Sequence, residues 1–272
     1  MITNNQFYFN NGKDAPVDPN ALLLTWWTSL AVKPSNALMT ALNTLSQGLF
    51  DDGNWAKLDL FGLLGGMETQ EQQLRPLIST SGDDFVIVGT PILDANGVNN
   101  DLGGGYLNLL WNPVDNGTQY TLNSAFVSAY VQDNTAQINQ IAIMGALEVA
   151  NAQETTMFHA GGDETAGIIN SENPSTYASI TNTINSYYIA CAISGGNWIL
   201  YKNAVSSSTP ITGTSPVLTP YDFYGAEVNF DNSSPIGYVS DAYIRHFMAG
   251  AGTANQTTIQ SRLNTFYASR GL

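Results

Sequence analysis

Cysteine is almost missing from this chain. Cys191 is the single one in 272 residues, which excludes internal disulfides and a thiolate zinc site. It sits in the apolar run Tyr187-Tyr188-Ile189-Ala190-Cys191-Ala192-Ile193 and reads as a buried, inert thiol. Charge is scarce too. Asp, Glu, Lys and Arg together make up 11% of the residues, against roughly 25% in an ordinary globular domain. Basic residues are the rarest, 8 against 22 acidic ones, for a net charge of −14. Scattered along the chain, they form no patch able to displace counterions, which excludes nucleic-acid binding through phosphates. No run of 18 apolar residues occurs, so a membrane-spanning helix is excluded. The start, Met1-Ile2-Thr3-Asn4-Asn5, has neither a basic residue nor an apolar stretch, and no secretory signal peptide is expected. No period of 20 to 50 residues is visible, which argues against a solenoid or propeller.

What is present is apolar and uncharged-polar. Hydrophobic residues are 43% and aromatics 11%, enough for a real core. The remainder is rich in Asn, Thr, Ser, Gln and Gly, residues of turns, strands and neutral surfaces. The length fits one large β domain or two smaller units.

Three segments are expected. Residues 1–33 read as an irregular arm, broken by Asn4, Asn5, Asn10, Asn11, Pro16 and Pro19. Its apolar run Leu22-Leu23-Leu24-Thr25-Trp26-Trp27 either packs on the core or docks on a partner subunit. Residues 34–80 read as a helical hairpin. Leu38, Ala41, Leu42, Leu45 and Leu49 form one helical stripe. Asp51-Asp52-Gly53-Asn54 breaks it, and Trp55, Leu58 and Phe61 predict a second short helix capped by Asn54. Gly65-Gly66 ends that helix, and Thr69 to Leu74 adds a turn before Pro76. From residue 81 to the end the period changes to two. Strands are expected at Phe85–Gly89, Tyr106–Leu109, Ser124–Val131, Ile141–Leu147, Thr155–His159, Ala166–Ile169, Tyr187–Ile193, Asn197–Tyr201, Tyr221–Val228 and Ser240–Ala249, with an Asn96-Gly97 hairpin turn. Strands at this spacing, divided by Asn, Gly, Ser and Pro clusters, predict an antiparallel β-sandwich. A closing helix follows, with Thr253 and Gln256 at capping-box spacing, an apolar face of Ile259, Leu263, Phe266 and Tyr267, and Gly271 at its end.

The residues able to carry chemistry are few. Glycoside hydrolysis needs two carboxylates, roughly 5 Å apart for retention or 6.5–9.5 Å for inversion. A Glu-x-Asp-x-x-Glu strand pattern is absent. Asp163-Glu164 and Asp83-Asp84 are adjacent pairs beside glycines; in a strand they would point to opposite faces, and both read as loop residues. His159 precedes Ala160-Gly161-Gly162-Asp163-Glu164, but no second histidine stands at metal-binding spacing. His246 alternates with Ile244 and Met248, so it is expected to share their strand face and to pack or meet solvent. Neither Gly-x-Ser-x-Gly nor Gly-x-x-x-x-Gly-Lys occurs, and Gly103-Gly104-Gly105 reads as a flexible turn. Sugar binding without catalysis stays open. Trp111, Tyr120, Tyr177 and Tyr221 are loop aromatics that could stack on sugar rings, or simply core residues. Asn229-Phe230-Asp231-Asn232-Ser233-Ser234 carries oxygens that suit calcium and is equally an ordinary hairpin tip.

Two sets of motifs carry a family resemblance. Asn197-Trp198-Ile199-Leu200-Tyr201-Lys202-Asn203, Phe223-Tyr224-Gly225-Ala226, the stretch Gly237 to Phe247 and the closing helix together resemble the end of a concanavalin-A-like, laminin-G-like jelly roll. Asp52-Gly53-Asn54-Trp55-Ala56-Lys57-Leu58-Asp59, Asn112-Pro113-x-x-Asn116-Gly117 and Tyr120-Thr121-x-Asn123-Ser124-Ala125 are similar to structural proteins of bacteriophages. The likeness spans about residues 35–272. It implies a mainly β jelly-roll sandwich and a non-enzymatic virion protein: a spike, fibre, tail-tip or capsid-associated component exposed on the particle. Its expected partners are other virion proteins, with further copies of the chain and a host-surface glycan as candidates. The arm and helices would attach it. A carbohydrate-binding module, a glycan hydrolase and a self-assembling jelly roll are the competing readings. The resemblance transfers no catalytic residue, no cofactor and no metal ligand.

Overall fold

The computed structural model describes residues 17–100, 105–132, 140–148, 153–160, 164–171, 178–181, 187–194, 197–203, 205–206, 211–212, 218–231 and 242–272. Its helices are α1 (Leu24–Ser29), α2 (Asn36–Asp51), α3 (Gln70–Leu74), α4 (Pro113–Asn116) and α5 (Gln256–Ser269). The strands are β1 (Leu58–Leu63), β2 (Ile78–Ser79), β3 (Val86–Gly89), β4 (Ile92–Asp94), β5 (Gly97–Asn99), β6 (Gly105–Asn108), β7 (Ser124–Gln132), β8 (Gln140–Glu148) and β9 (Gln153–Ala160). They continue with β10 (Glu164–Ser171), β11 (Ala178–Thr181), β12 (Tyr187–Ser194), β13 (Asn197–Lys202), β14 (Val205–Ser206), β15 (Ile211–Thr212), β16 (Tyr224–Gly225), β17 (Asn229–Phe230) and β18 (Tyr243–Gly250).

They form two sheets. The first runs β14-β13-β12-β7-β18-β1-β2, with β5 and β4 joined through β18 and β15 on β13; the second runs β11-β10-β9-β8-β16-β6-β3, with β17 on β8. Pairing is antiparallel except between β17 and β8. The expected mainly β, antiparallel sandwich with a closing helix is what the chain forms.

Three layers follow from where the apolar side chains point. Leu60, Val127, Ile189 and Phe247 of the first sheet meet Leu107, Ile143 and Ile168 of the second in one core. The other face of the first sheet presents Leu58, Phe61, Phe126, Tyr188 and Met248 to α2 and α5, a second core. That sheet is therefore buried on both sides, and β1 is buried at every position. A strand covered on two faces loses the apolar-polar alternation.

This explains the main correction. The expected second helix, with Trp55, Leu58 and Phe61 on its face, does not form. Trp55–Lys57 is a single 3-10 turn and Leu58 opens β1. The segment 34–80 is thus not a helical hairpin: α2 is followed by a strand paired between β18 and β2. Asn54 caps nothing through its side chain. Instead its amide donates to Thr258 Oγ1 at 2.7 Å and accepts from Asn255 N at 2.8 Å, tying the turn to α5.

The α2 stripe is as the sequence predicts, with Leu38, Leu42, Leu45 and Leu49 buried, each contributing roughly 1.5–3 kcal/mol of burial. The turn between Thr69 and Leu74 is α3, with Thr69 as its cap. Leu24–Ser29, read as irregular, is helical, because Trp26 is drawn into the second core. The cap of α5 is Asn255, accepting from Thr258 N at 3.2 Å, and not Thr253. Ile259, Leu263, Phe266 and Tyr267 are buried as expected, and Gly271 follows at a φ of 76°. The Asn96-Gly97 signal marks a real hairpin between β4 and β5. Gly97 has φ 126°, and a Cβ there would stand 2.2 Å from the Ile244 carbonyl oxygen. Only glycine lets β5 approach β18 so closely. Of Tyr221–Val228, only Tyr224–Gly225 is strand.

Candidate functional site

The first sheet ends at β2, a two-residue strand. Beyond it, the chain turns from α3 through Gly82-Asp83-Asp84 toward β3, while α1 lies across the opposite side. Between them opens a cleft of about 700 Å³, within the range of small-ligand sites. Trp26 and Thr25 of α1, Trp55 of the 3-10 turn, Arg75, Ser79 and Asp83 are among its lining residues.

Each is placed by local structure. Trp26 is nearly buried, and its indole N–H donates to the Arg75 carbonyl at 2.9 Å, which fixes α1 to the end of α3. Lys33 closes the C-terminal end of α1, donating to the carbonyls of Trp27 and Leu30 at 2.6 and 2.7 Å, and stands 4.5 Å from the Trp27 ring centre. Trp55 is half-buried against the second core, leaving part of its ring on the cleft wall. Gly82 has φ 79° and Ser81 Oγ accepts from Asp83 N at 3.2 Å, a tight turn that holds both carboxylates outward.

The charges in the cleft are unequally committed. Arg75 Nε and Nη2 bind the two oxygens of Asp84 at 3.0 and 2.8 Å. Its Nη1 donates to the Ser29 carbonyl and stands 3.8 Å from Glu71. The Asp84 hydrogen bond holds the guanidinium above its ordinary range. Backbone N–H groups of Ala31 and Val32 donate to Glu71 and lower its carboxyl. Asp83 makes no side-chain hydrogen bond among the described residues. The cleft therefore offers one unengaged carboxylate, the open part of the Trp55 indole and hydroxyls, with Arg75 already neutralised.

The other predicted residues lie elsewhere. Trp111 and Tyr120 are not loop platforms but core. Trp111 Nε1 donates to Thr80 Oγ1 at 2.9 Å, and Tyr120 Oη donates to Asn170 Oδ1 at 2.9 Å. Burial pushes the Tyr120 phenol far up. Tyr221 is half-buried and packs against the core between the sheets, and Tyr177 lies outside the described residues, as do Asp163, Gly103, Gly104 and Asn232 to Ser234. His159 stands in β9 opposite Ile141 and Thr165, and Glu164 opens β10; their side chains are outside the described residues. Asp83 and Asp84 are loop residues as expected. Among the described residues no cluster of three His, Cys, Asp or Glu can hold a metal, and Asn229 is buried beside Asp222 instead of at a tip. Cys191 is buried, which raises its thiol to about 12, the inert state expected.

His246 needs a correction. A bulge in β18 sets Arg245 and His246 together opposite Tyr130. Ile244 faces the core between the sheets, whereas Met248 faces the helices. His246 joins the helix side: Nδ1 is 3.0 Å from Tyr267 Oη and the ring is 5.8 Å from Tyr188. A period-two count misses this because a bulge inserts one residue.

Three buried carboxylates went unnoticed in the sequence: Asp59, Glu227 and Glu154, the last accepting from Thr156 Oγ1 at 2.6 Å. Asp59 accepts from the backbone N–H groups of Thr118, Gln119 and Tyr120 at 3.0, 2.8 and 2.6 Å. Glu227 accepts from Asn100 Nδ2 at 3.2 Å and Val228 N at 3.3 Å, and burial raises its carboxyl to about 7.

No family model matches the chain, and no curated protein does. Solved structures are similar in fold. Trypanosoma rangeli sialidase matches at TM-score 0.52 and 11% identity, over 86% of this chain and 39% of that one. The binding domain of botulinum neurotoxin serotype D matches at 0.50 and 15%, over 79% and 51%. Domain 4 of AbnA, an extracellular GH43 arabinanase from Geobacillus stearothermophilus solved with arabinotriose, matches at 0.50 and 14%, over 76% and 98%. The chain spans about two fifths of the sialidase and about half of the toxin domain. What these likenesses establish is the architecture, a mainly β sandwich of two antiparallel sheets.

Proposed function

We propose that this chain is a non-enzymatic, lectin-like sandwich that binds glycan, carried on a bacteriophage virion. The observation that carries the glycan reading is the cleft beside β2. Trp55 supplies a flat apolar face, while Asp83 and Ser79 supply hydrogen-bonding groups for hydroxyls. Three similar folds belong to a sialidase, a toxin binding domain and an arabinanase domain solved with arabinotriose, which supports the same reading. The non-enzymatic part rests on the carboxylates. Asp84 is tied to Arg75 by two hydrogen bonds, leaving Asp83 without a free second acid among the described residues of the cleft, and glycoside hydrolysis uses two.

The virion setting is supported by the phage-like motifs around Asp52–Asp59 and Asn112–Gly117 and by the low charge with abundant Asn, Thr and Ser. Other virion proteins and further copies of the chain are its proposed partners, in a particle assembled in the host cytoplasm with this chain exposed on its outside. A glycan array, reducing-sugar release and mass spectrometry of purified particles test these parts separately. Bound glycan without turnover, and peptides of this chain in virions, are expected. Turnover overturns the non-enzymatic reading. Absence from particles overturns the virion reading, and a stable oligomer that binds no sugar favours a self-assembling jelly roll.

A further inference from the structure

We infer that the cleft beside β2 selects neutral sugar chains and rejects acidic ones such as sialic acid or uronic acids, with Asp83 accepting sugar hydroxyls beside Trp55. The inference rests on the glycan reading above and adds the class of ligand.

The argument is electrostatic. A sugar carboxylate needs a cation or several free donors to replace its hydration. Among the described residues Arg75 is the one cation lining the cleft. Asp84 takes Nε and Nη2, the Ser29 carbonyl takes Nη1, and Glu71 stands 3.8 Å away. A ligand anion would have to displace Asp84 and leave that carboxylate unpaired. It would also approach Asp83, whose charge nothing among the described residues neutralises, on a chain of net charge −14. Like charges facing each other in a partly enclosed cleft disfavour binding strongly.

A neutral sugar meets the opposite situation. Its vicinal hydroxyls are donors, and a carboxylate with free lone pairs accepts two of them. The Trp55 wall covers an apolar ring face without requiring charge. Hydrogen bonds to an ionised acceptor are roughly twice as strong as neutral ones, so Asp83 is the residue on which affinity should turn.

Matched pairs differing in one acidic sugar provide the test. Lactose against 3′-sialyllactose, and neutral arabino- and gluco-oligosaccharides against uronate oligomers, would be titrated by tryptophan fluorescence and calorimetry. Neutral members are expected to bind, and each acidic partner at least tenfold more weakly. That gap should narrow in high salt, because the repulsion is screened. Asp83→Asn should weaken neutral ligands about tenfold and narrow the gap further. Trp55→Ala should abolish binding, and because Trp55 is half-buried, a thermal melt of each variant separates lost binding from lost folding. Asp83 is exposed, so its variant tests the idea even where Trp55→Ala unfolds. Equal or tighter binding of the acidic members overturns the inference and leaves the glycan reading standing. Neutral binding indifferent to Asp83→Asn overturns the assignment to this cleft. If no sugar of either class binds, the glycan reading itself has failed.

Discussion

At the residue scale, three buried polar groups act in ways their charge alone would not indicate. Asp59 is fully buried, yet three consecutive backbone N–H groups and Thr118 Oγ1 converge on it. It clamps the loop that leads into β7. Asp59→Ala strands those donors in the interior, and denaturant unfolding should show a loss of about 3 kcal/mol or more. Glu227 is different, because burial raises its carboxyl from 4.5 to about 7. The folded state thus holds its proton more tightly than the unfolded chain. The associated stability is fully present below the unfolded value and is lost as pH rises through about 7. Melting temperatures of the natural protein and Glu227→Gln should diverge by several degrees between about pH 5 and about pH 8, with the variant the flatter of the two. His246 has the opposite sign. Burial lowers it to about 3, so its contribution is present above about 6.5 and is lost as pH falls toward 3. His246→Phe should flatten the acid side of the same profile. Identical acid sensitivity in both proteins would contradict this assignment.

At the element scale, α2 shows what was legible and β1 what was not. The stripe of Leu38, Leu42, Leu45 and Leu49 repeats at helical spacing and is buried as a stripe. Leu42→Ala should cost about 3 kcal/mol through lost burial and the cavity left behind, measurable by chemical unfolding. Trp55, Leu58 and Phe61 also repeat at three-residue spacing, yet Leu58 and Phe61 lie in a strand. Covered by helices on one face and by the second sheet on the other, β1 has no solvent face to reveal its period. In β8, Gly145 adopts φ 143°, and a Cβ would stand 2.1 Å from the Thr155 carbonyl oxygen. Gly145→Ala combines backbone strain with a clash and should destabilise by about 2 kcal/mol or more; an unchanged melting temperature would contradict the packing of β8 on β9.

At the scale of the whole molecule, electrostatics works against compactness. Net charge is −14, while the ion pairs among the described residues, such as Arg75–Asp84 and Arg262–Asp52, are partly exposed. Such pairs contribute roughly 0–1 kcal/mol each. Screening should relieve more repulsion than it removes attraction, so the melting temperature is expected to rise between low and moderate sodium chloride. A fall would mean that the ion pairs dominate.

Composition, turn residues and two periodicities determined, with no tertiary information, that this chain is an acidic, disulfide-free, mainly β protein with a helix at its end. They did so because those signals are local: a turn residue or an apolar stripe acts within a few positions of itself. Which strand lies between the layers, that Trp111 and Tyr120 are core and not platform, and that Trp26, Trp55, Arg75 and Asp83 surround one cleft were decided only by the tertiary structure. Those residues are up to tens of positions apart, and burial and charge compensation belong to the surroundings the fold builds, not to the side chain.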